Sequence, residues 1–313
     1  MRVPTSYYSD AFTSDLNTLR SRQAALQNQA TTGLRVTSAS DDPAAMQNAL
    51  VFMSEKSKAT QHGSNVTALQ DRSTQIFNAL QDLQKLSSQA SADAVSAVND
   101  TTNQSHTTLV ADLNAIIKSA LTSANTKDPL TGRGIFGGTS GSAAPFAATY
   151  DSVGNVTAVS YTGNAAVNSV EISKGSTMAV DVPGVNNSGT GARGLFADAQ
   201  SGADFFGNLL KLRDDIAAGN STAIHTTDSA ALQKDSDNLI FHIGNIGAQQ
   251  TRLDLTATTL QNQMSALDKN ISNATSADLV QTIVQLNQAQ NSYQAALQSG
   301  SKIMQLSILN YIQ

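Results

Sequence analysis

The sequence predicts a mainly α-helical chain with an inserted β-domain, in which N- and C-terminal segments pair to form an elongated, coiled-coil-like helical rod. In both halves of the chain, apolar residues recur at spacings of three, four and seven, which is the helical pattern. Residues 132–194 are instead rich in Gly, Val, Thr, Ser and Asn, which favour strands and turns. A helix with a narrow apolar stripe needs a partner, and the simplest pairing sets the first helices beside the last ones.

Composition limits the function classes. The 313 residues are enough for two or three domains. A net charge of −5 gives no basic footprint for nucleic acid. Only 14% of residues are charged and Trp is absent, so we expect no compact, aromatic-rich core. The absence of Cys excludes disulfides, thiolate zinc sites and Cys nucleophiles.

Neither a Sec-type signal peptide nor a membrane span is expected. The start, Met1–Ser6, has no apolar h-region. No apolar run reaches the roughly 18 residues that a membrane-spanning helix needs.

Residues that commonly start or stop helices mark the ends of the first two predicted helices. A stripe of Phe12, Leu16, Leu19 and Leu26 predicts the first helix, which Gly33 interrupts. The second helix should begin at Asp42-Pro43, because Asp is a good N-cap and Pro a good first helical residue. Its pattern runs to about Val98 and ends in a turn-forming cluster at 99–103.

The middle of the chain changes character. A third helix carries Leu109, Leu113, Ile116 and Leu121. Beyond Lys127 the β-rich segment begins, with predicted strands at Val156–Tyr161, Val170–Ile172 and Met178–Val182. Helical pattern resumes near Asp204. From about Ser229 to Asn270, spacings of seven, four and three are typical of a coiled coil.

The C-terminal helix is unusually poor in charge. From Thr275 to Gln313 the only charged side chains are Asp278 and Lys302, and the face opposite the apolar stripe is mostly Gln and Asn. Such a face suits burial against further protein, because no charge has to be desolvated. We therefore predict an assembly interface made by the large apolar residues of both ends: Leu16, Leu19, Leu26, Leu279, Ile283, Leu286, Tyr293, Leu297, Met304 and Ile308.

These patterns divide the chain into three predicted domains. Residues 1–33 with 275–313 form a terminal helical assembly domain, and residues 34–131 with 200–274 form a helical rod domain. Residues 132–199 form an inserted, β-rich outer domain of ordinary domain size.

No residue pattern requires catalysis, a cofactor or a metal. Gly189–Gly194 matches the spacing of a dinucleotide fingerprint but follows a loop-forming segment rather than a strand. Asp41 and Asp42 are better explained by the helix cap than as a carboxylate pair. The four histidines share no ligand spacing. We therefore predict a non-enzymatic protein with no catalytic, cofactor-binding or metal-binding residues.

Three stretches together resemble the bacterial flagellin family, and within it the hook-associated junction proteins more than the filament subunits. Residues 31–45 are similar to the family signature after the first helix, and Pro43 is more typical of the junction proteins. Residues 134–146 look like the start of the junction proteins' β-domain. Residues 244–254 are similar to the shared C-terminal helix motif, and the ending 306–312 again leans toward the junction proteins.

The resemblance implies a structural axial protein of the flagellum that joins the hook to the filament. It implies export through the flagellar type III apparatus, extracellular assembly at the growing tip, and terminal segments that are disordered in the free subunit. The implied partners are further copies in a ring or helical layer, an adjacent hook-associated protein, flagellin and an export chaperone; nucleic-acid binding and membrane insertion are not expected. Two alternatives stay open: a short flagellin that forms the filament itself, and a secreted adhesin whose β-domain binds a ligand.

Overall fold

The computed structural model describes residues 5–99, 103–129 and 131–312, with side chains from Asp10 to Lys302 apart from Asn103. Its helices are α1 Thr5–Thr32, α2 Pro43–Asn99, α3 Asn103–Ala124, α4 Phe205–Ala217, α5 Ser221–Ala223, α6 Ser229–Thr275 and α7 Leu279–Ile312. A π-helical turn, Ile224–Asp228, joins α5 to α6. The chain divides into two compact units: the terminal unit, Met1–Ala59 with Asn262–Gln313, and the central unit, Thr60–Gln261.

Between α3 and α4 the central unit carries three small sheets. The strands are β1 Phe146–Tyr150, β2 Val156–Tyr161, β3 Val170–Ser173, β4 Ser176–Met178, β5 Val185–Asn186, β6 Ala197–Asp198 and β7 Ala203–Asp204. Strands β1 and β2 form one antiparallel pair and β3 and β4 another. In the third sheet, β6 pairs in parallel with β5 and antiparallel with β7. The fold class is confirmed as mainly α with an inserted β region.

Short polar signals set the helix ends. Gly33 adopts a positive φ of 71° directly after α1, a conformation that glycine adopts without steric cost. Asp42 caps α2 as predicted: its carboxylate accepts the backbone N–H of Ala45 at 3.0 Å. The carboxylate of Asp204 caps α4 in the same way, accepting the N–H of Gly207 at 3.2 Å. Helix α2 ends at Asn99 and α3 begins at Asn103, and most of the turn predicted between them lies outside the described residues.

Helices α2 and α6 each bury a regularly spaced set of residues in the central unit. The inward residues of α6 are spaced by seven: Leu232, Leu239, Ile246, Leu253 and Leu260. The inward residues of α2 alternate by three and four: Val66, Leu69, Ser73, Ile76, Leu80, Leu83, Ser87, Ala90, Ala94 and Ala97. A hydrogen bond of 2.6 Å from the Gln70 amide to the Asp254 carboxylate joins the two helices. The residues of the coiled-coil pattern in α6 therefore pack into an intramolecular core.

An aromatic cluster joins the β strands to α4, contrary to the expectation from composition. Five of the nine phenylalanines gather there: Phe136, Phe146, Phe196, Phe205 and Phe206. The rings of Phe196 and Phe206 stack at 5.2 Å between centroids, and Phe136 meets Phe196 edge-on at 5.6 Å. Most of the few phenylalanines lie together in this cluster. The percentage of aromatic residues in the whole chain could not reveal such clustering.

One predicted strand is shorter than expected. The segment Met178–Val182 leaves the β3–β4 ladder at Met178. Val180 and Val182 are buried without strand partners among the described residues, while the carboxylate of Asp181 binds the Arg72 side chain. Pro183 follows and has no N–H to offer a ladder. The alternation of apolar residues in Met178–Val182 therefore reflects the burial of Val180 and Val182 and not strand pairing.

Candidate assembly surface

Helices α1 and α7, the first and the last, pack antiparallel in the terminal unit, and we call this pair the terminal hairpin. A bridge pairs Leu34 with Ser276 at one end, and the Phe12 ring lies against Gly300 further along. Both helices turn residues spaced by three and four toward their shared seam. On α1 these are Phe12, Leu16, Leu19, Gln23, Leu26 and Ala30; on α7 they are Thr282, Leu286, Ala289, Tyr293, Ala296 and Gly300. The predicted pairing of the first and last helices is confirmed.

The segment after α1 is tied to the turn before α7 by backbone hydrogen bonds. The N–H of Arg35 donates to the carbonyl of Thr275 at 2.7 Å, and the N–H of Ala277 donates to the carbonyl of Gly33 at 2.8 Å. The Arg35 guanidinium also reaches the carbonyl of Ala274 at 3.1 Å and the carboxylate of Asp42 at 3.0 Å. These bonds fix where the hairpin starts.

Asp42 caps α2, as predicted, whereas Asp41 binds the turn before the helix and does not cap it. Asp41 accepts the N–H groups of Thr37 and Ser38 at 3.0 and 2.9 Å, and these bonds lower the pKa of its carboxyl. The N–H of Ala45, followed by the Arg35 side chain, lowers the pKa of Asp42. Both carboxylates are therefore held ionised for local structure.

The predicted interface residues occupy three different environments. Leu26 is buried in the hairpin seam, and Leu16, Leu19, Leu286 and Tyr293 are half-buried there. Leu279, Ile283 and Leu297 remain 46%, 50% and 44% exposed. The side chains of Met304 and Ile308 lie outside the described residues. One predicted stripe is thus divided between an internal seam and an outward face.

The exposed side of α7 carries large apolar residues as well as amides. Thr282, Ala289 and Gly300 are buried against α1, whereas Val280 and Val284 are 76% and 60% exposed. Four exposed residues, Leu279, Val280, Ile283 and Val284, lie within the first two turns of α7, and we call them the α7 ridge. Exposed Leu297 lies more than three turns further along the helix. Val280 and Val284 lie outside the single apolar stripe that was predicted. A helical wheel showing on which side of α7 the alanines lie could have found them.

The dinucleotide-like segment Gly189–Gly194 forms a loop against α6. The buried amide of Asn238 donates to the carbonyls of Gly194 and Leu195, each at 2.9 Å. A ring nitrogen of buried His242 lies 3.3 Å from the Gly194 carbonyl, and burial lowers the pKa of this histidine. Polar contacts to α6 thus fix this loop.

The described residues carry neither a metal-binding cluster nor a helix able to cross a membrane. They contain no group of three His, Cys, Asp or Glu side chains arranged to hold a metal ion. No helix in the same ranges combines the length with the hydropathy that crossing a bilayer requires.

Comparison with known proteins identifies the fold. No protein-family model matches the chain, and no curated protein matches it. Among solved structures, a flagellar hook-associated protein from Vibrio parahaemolyticus is similar, with a TM-score of 0.64 and 22% identity over 75% of this chain and 100% of that one.

Two further solved structures agree. FlgL from Bacillus cereus has a TM-score of 0.53 and 20% identity, over 74% of this chain and 100% of its own. FlgL from Xanthomonas campestris has a TM-score of 0.54 and 18% identity, over 71% of this chain and 98% of its own. The helical hairpin, the paired α2 and α6 and the inserted strands together give this chain the fold of the flagellar hook-associated proteins.

Proposed function

We propose that this chain is a structural, non-enzymatic axial protein of the bacterial flagellum that joins the hook to the filament. It is exported through the flagellar type III apparatus, with an export chaperone, and works outside the cell. Its neighbours are further copies in a ring or helical layer, an adjacent hook-associated protein and flagellin. We expect neither nucleic-acid binding nor insertion into a membrane.

The observation that carries this proposal is the fold shared with hook-associated proteins over almost the whole length of those structures. The terminal hairpin adds a chemical reason, because the four aliphatic side chains of the α7 ridge stand exposed on a helix face without charge. Ordering such a helix costs conformational entropy, which contacts with neighbouring subunits would offset. The Vibrio parahaemolyticus structure is named for the hook, and none of the three solved structures is named for the filament, so neither a short flagellin nor an adhesin is favoured.

Within this proposal each part of the chain has a task. The terminal domain, residues 1–33 with 275–313, makes the contacts between subunits through the apolar residues predicted above, Met304 and Ile308 included. The helical domain, residues 34–131 with 200–274, forms the wall of the assembly. The β-rich domain, residues 132–199, faces outward.

A clean deletion of the gene, imaged by electron microscopy, tests the proposal. We expect hooks without filaments and flagellin shed into the medium. Intact filaments with lost surface binding would contradict the junction role and favour an adhesin. A normal hook that retains its junction proteins but has no filament subunit would mean that the chain is the flagellin.

A second experiment separates the roles of the domains. Removing Thr275–Gln313 should abolish assembly of an axial protein, because one helix of the terminal hairpin is lost. An adhesin would keep its ligand binding, since every strand that the structure describes lies in the central unit, outside Thr275–Gln313. Complementation of the deletion strain with this shortened chain, scored by motility and microscopy, distinguishes the two.

A further inference from the structure

Helix α2 begins with its apolar side turned outward. Ala49 and Ala59 are buried, whereas Leu50, Val51 and Met53 are 55%, 54% and 46% exposed. A shallow groove of about 520 Å³ follows this outward side, closed at one end by the turn before the helix. The residues lining it, here called the α2 groove, are Ala39, Pro43, Met46, Gln47, Leu50, Val51, Ser54 and Glu55. A helix that buries alanine and exposes leucine is built for a partner that lies on its outward side.

The α2 groove and the α7 ridge have matching charge and shape. From Leu279 to Ser301 helix α7 carries no ionisable group other than the hydroxyl of half-buried Tyr293. The only charged residue lining the groove is Glu55, whose carboxylate pairs with the ammonium of Lys58 at 2.8 Å. Neither surface would have to desolvate an unpaired charge on contact. A row of aliphatic side chains also fits a groove better than it fits a second row, as in ordinary helix packing.

Both surfaces lie in the terminal unit, and each remains exposed there. The hairpin seam already occupies the other side of α7, so the ridge is not needed to hold α7 in place. The contacts within one chain therefore leave both the ridge and the groove uncovered. A second copy of the chain supplies a groove for the ridge and a ridge for the groove.

We propose that the α7 ridge of one copy docks into the α2 groove of a second copy, so that each subunit offers one of each to its neighbours. This inference rests on the proposed function and specifies which two surfaces of the subunit meet. A contact between two different surfaces is heterologous, and repeating it generates a ring or a helical row rather than a closed dimer.

The size of the contact fits an assembly rather than a dimer in solution. Four exposed aliphatic side chains cover far less than the roughly 800 Å² per partner of a standard stable interface. A single contact is therefore weak, and the contact becomes persistent when each subunit is held by neighbours on both sides.

The absence of cysteine allows a direct test by crosslinking. Full-length chains carrying only Leu50→Cys and only Ile283→Cys, the latter with an affinity tag, are co-expressed in the deletion strain. Each variant is first shown to restore motility. Isolated flagella are then oxidised, and we expect a disulfide-linked dimer that contains one tagged and one untagged chain.

Gln281→Cys provides the matched control. Gln281 is exposed near the start of the same helix but points away from the α7 ridge, two positions along the chain from Ile283. Paired with Leu50→Cys it should give no mixed dimer. Dimers of Leu50→Cys with itself, or equal yields from both pairs, would overturn the proposal.

A second measurement covers the case in which cysteine geometry prevents bond formation. Leu50→Glu and Ile283→Lys should each cause loss of filaments, because a single charge is buried in an apolar contact. Chains that carry both changes place opposite charges across every contact and should regain filaments. If the double variant is no better than the single ones, the two surfaces do not meet, and the groove is covered by another axial protein. The gene-deletion phenotype stays the separate test of the proposed function.

Discussion

Gly194 shows why a glycine-rich loop can mislead at the scale of one residue. A Cβ atom at this position would lie 2.2 Å from the carbonyl oxygen of Ala197 and 2.4 Å from the backbone nitrogen of Asn186. Its own N–H donates to the carboxylate of Asp198 at 3.1 Å. The glycine is required by close backbone packing, and the nucleotide-like spacing around it is coincidental.

We expect Gly194→Ala to lower the free energy of unfolding by roughly 1–3 kcal/mol, because neighbouring backbone must move to admit the methyl group. Gly244→Ala is the control, since a Cβ there meets nothing within 4 Å on the surface of α6. That change should stabilise the helix by roughly 0.5–1 kcal/mol. Urea denaturation of both variants measures the difference, and equal midpoints would contradict this account.

Asp235 provides a second prediction at the residue scale. Its carboxylate is buried on α6 and accepts the N–H of Asp204 at 2.9 Å and the amide of Asn208 at 2.8 Å. Burial raises its pKa to about 6, and nearby Asp204 contributes in the same direction. Since the unfolded chain has a pKa near 3.8, the folded state holds more protons between these two values. This group therefore adds stability as the pH falls from about 7 towards 4.

The substitution Asp235→Asn removes this titration. Between about pH 7.5 and pH 5, wild type should gain roughly 1–2 kcal/mol of unfolding free energy relative to the variant. Asp237→Asn, at an exposed position on the same helix, should show no such change. Parallel pH dependence in wild type and Asp235→Asn would mean that Asp235 does not titrate in this range.

At the scale of elements, Arg72 holds α2 against both the start and the interior of the β-rich segment. Its guanidinium donates to Asp128 at 3.1 Å and also binds Asp181, and both acid side chains are largely buried. We expect Arg72→Ala to lower the free energy of unfolding by about 3 kcal/mol, because it leaves the Asp181 carboxylate buried without its counter-charge.

Lys85→Ala gives the comparison for Arg72. Lys85 pairs with Asp82 at 3.2 Å on the exposed side of the same helix. Losing this pair should cost less than about 1 kcal/mol, since exposed ion pairs are screened by water. Thermal unfolding of both variants measures the two costs. Similar values would show that the Arg72 contacts are no stronger than surface pairs.

The sequence predicted elements well where one local signal decides the outcome. Asp42 before Pro43 specified the start of α2, and seven-residue spacing specified the buried side of α6. It predicted less where distant contacts decide. The predicted strand Met178–Val182 pairs only at Met178, and Asp181 beyond it binds Arg72, which lies more than one hundred positions away in the chain. No local pattern contains that information.

For the whole molecule, the apolar stripes predicted which helices pair in the terminal unit but not which of their residues meet. Periodicity found both helices of the terminal hairpin and their pairing. It could not divide the stripe between the seam and the outward face, because large apolar residues occur on both: Leu286 and Tyr293 in the seam, Leu279 and Leu297 outside it.

The two units also differ in what stabilises them. The large buried cluster runs from Ile76 to Ile246 and belongs wholly to the central unit. The terminal hairpin instead relies on a narrow seam in which most positions are only half-buried. Local opening costs least where few apolar groups are buried, so amides of α1 and α7 should exchange with deuterium faster than those of α3 and α4 in the purified chain.

Hydrogen exchange followed by mass spectrometry measures this difference on peptides from 13–26 and 282–297 against 109–124 and 205–217. In isolated flagella the terminal peptides should become as protected as the central ones, because neighbouring subunits then cover the α7 ridge. Protection of the terminal peptides that is already complete in the purified chain would mean that the hairpin seam suffices by itself. In that case the exposed aliphatic residues would have to be explained without assembly-linked ordering of α1 and α7.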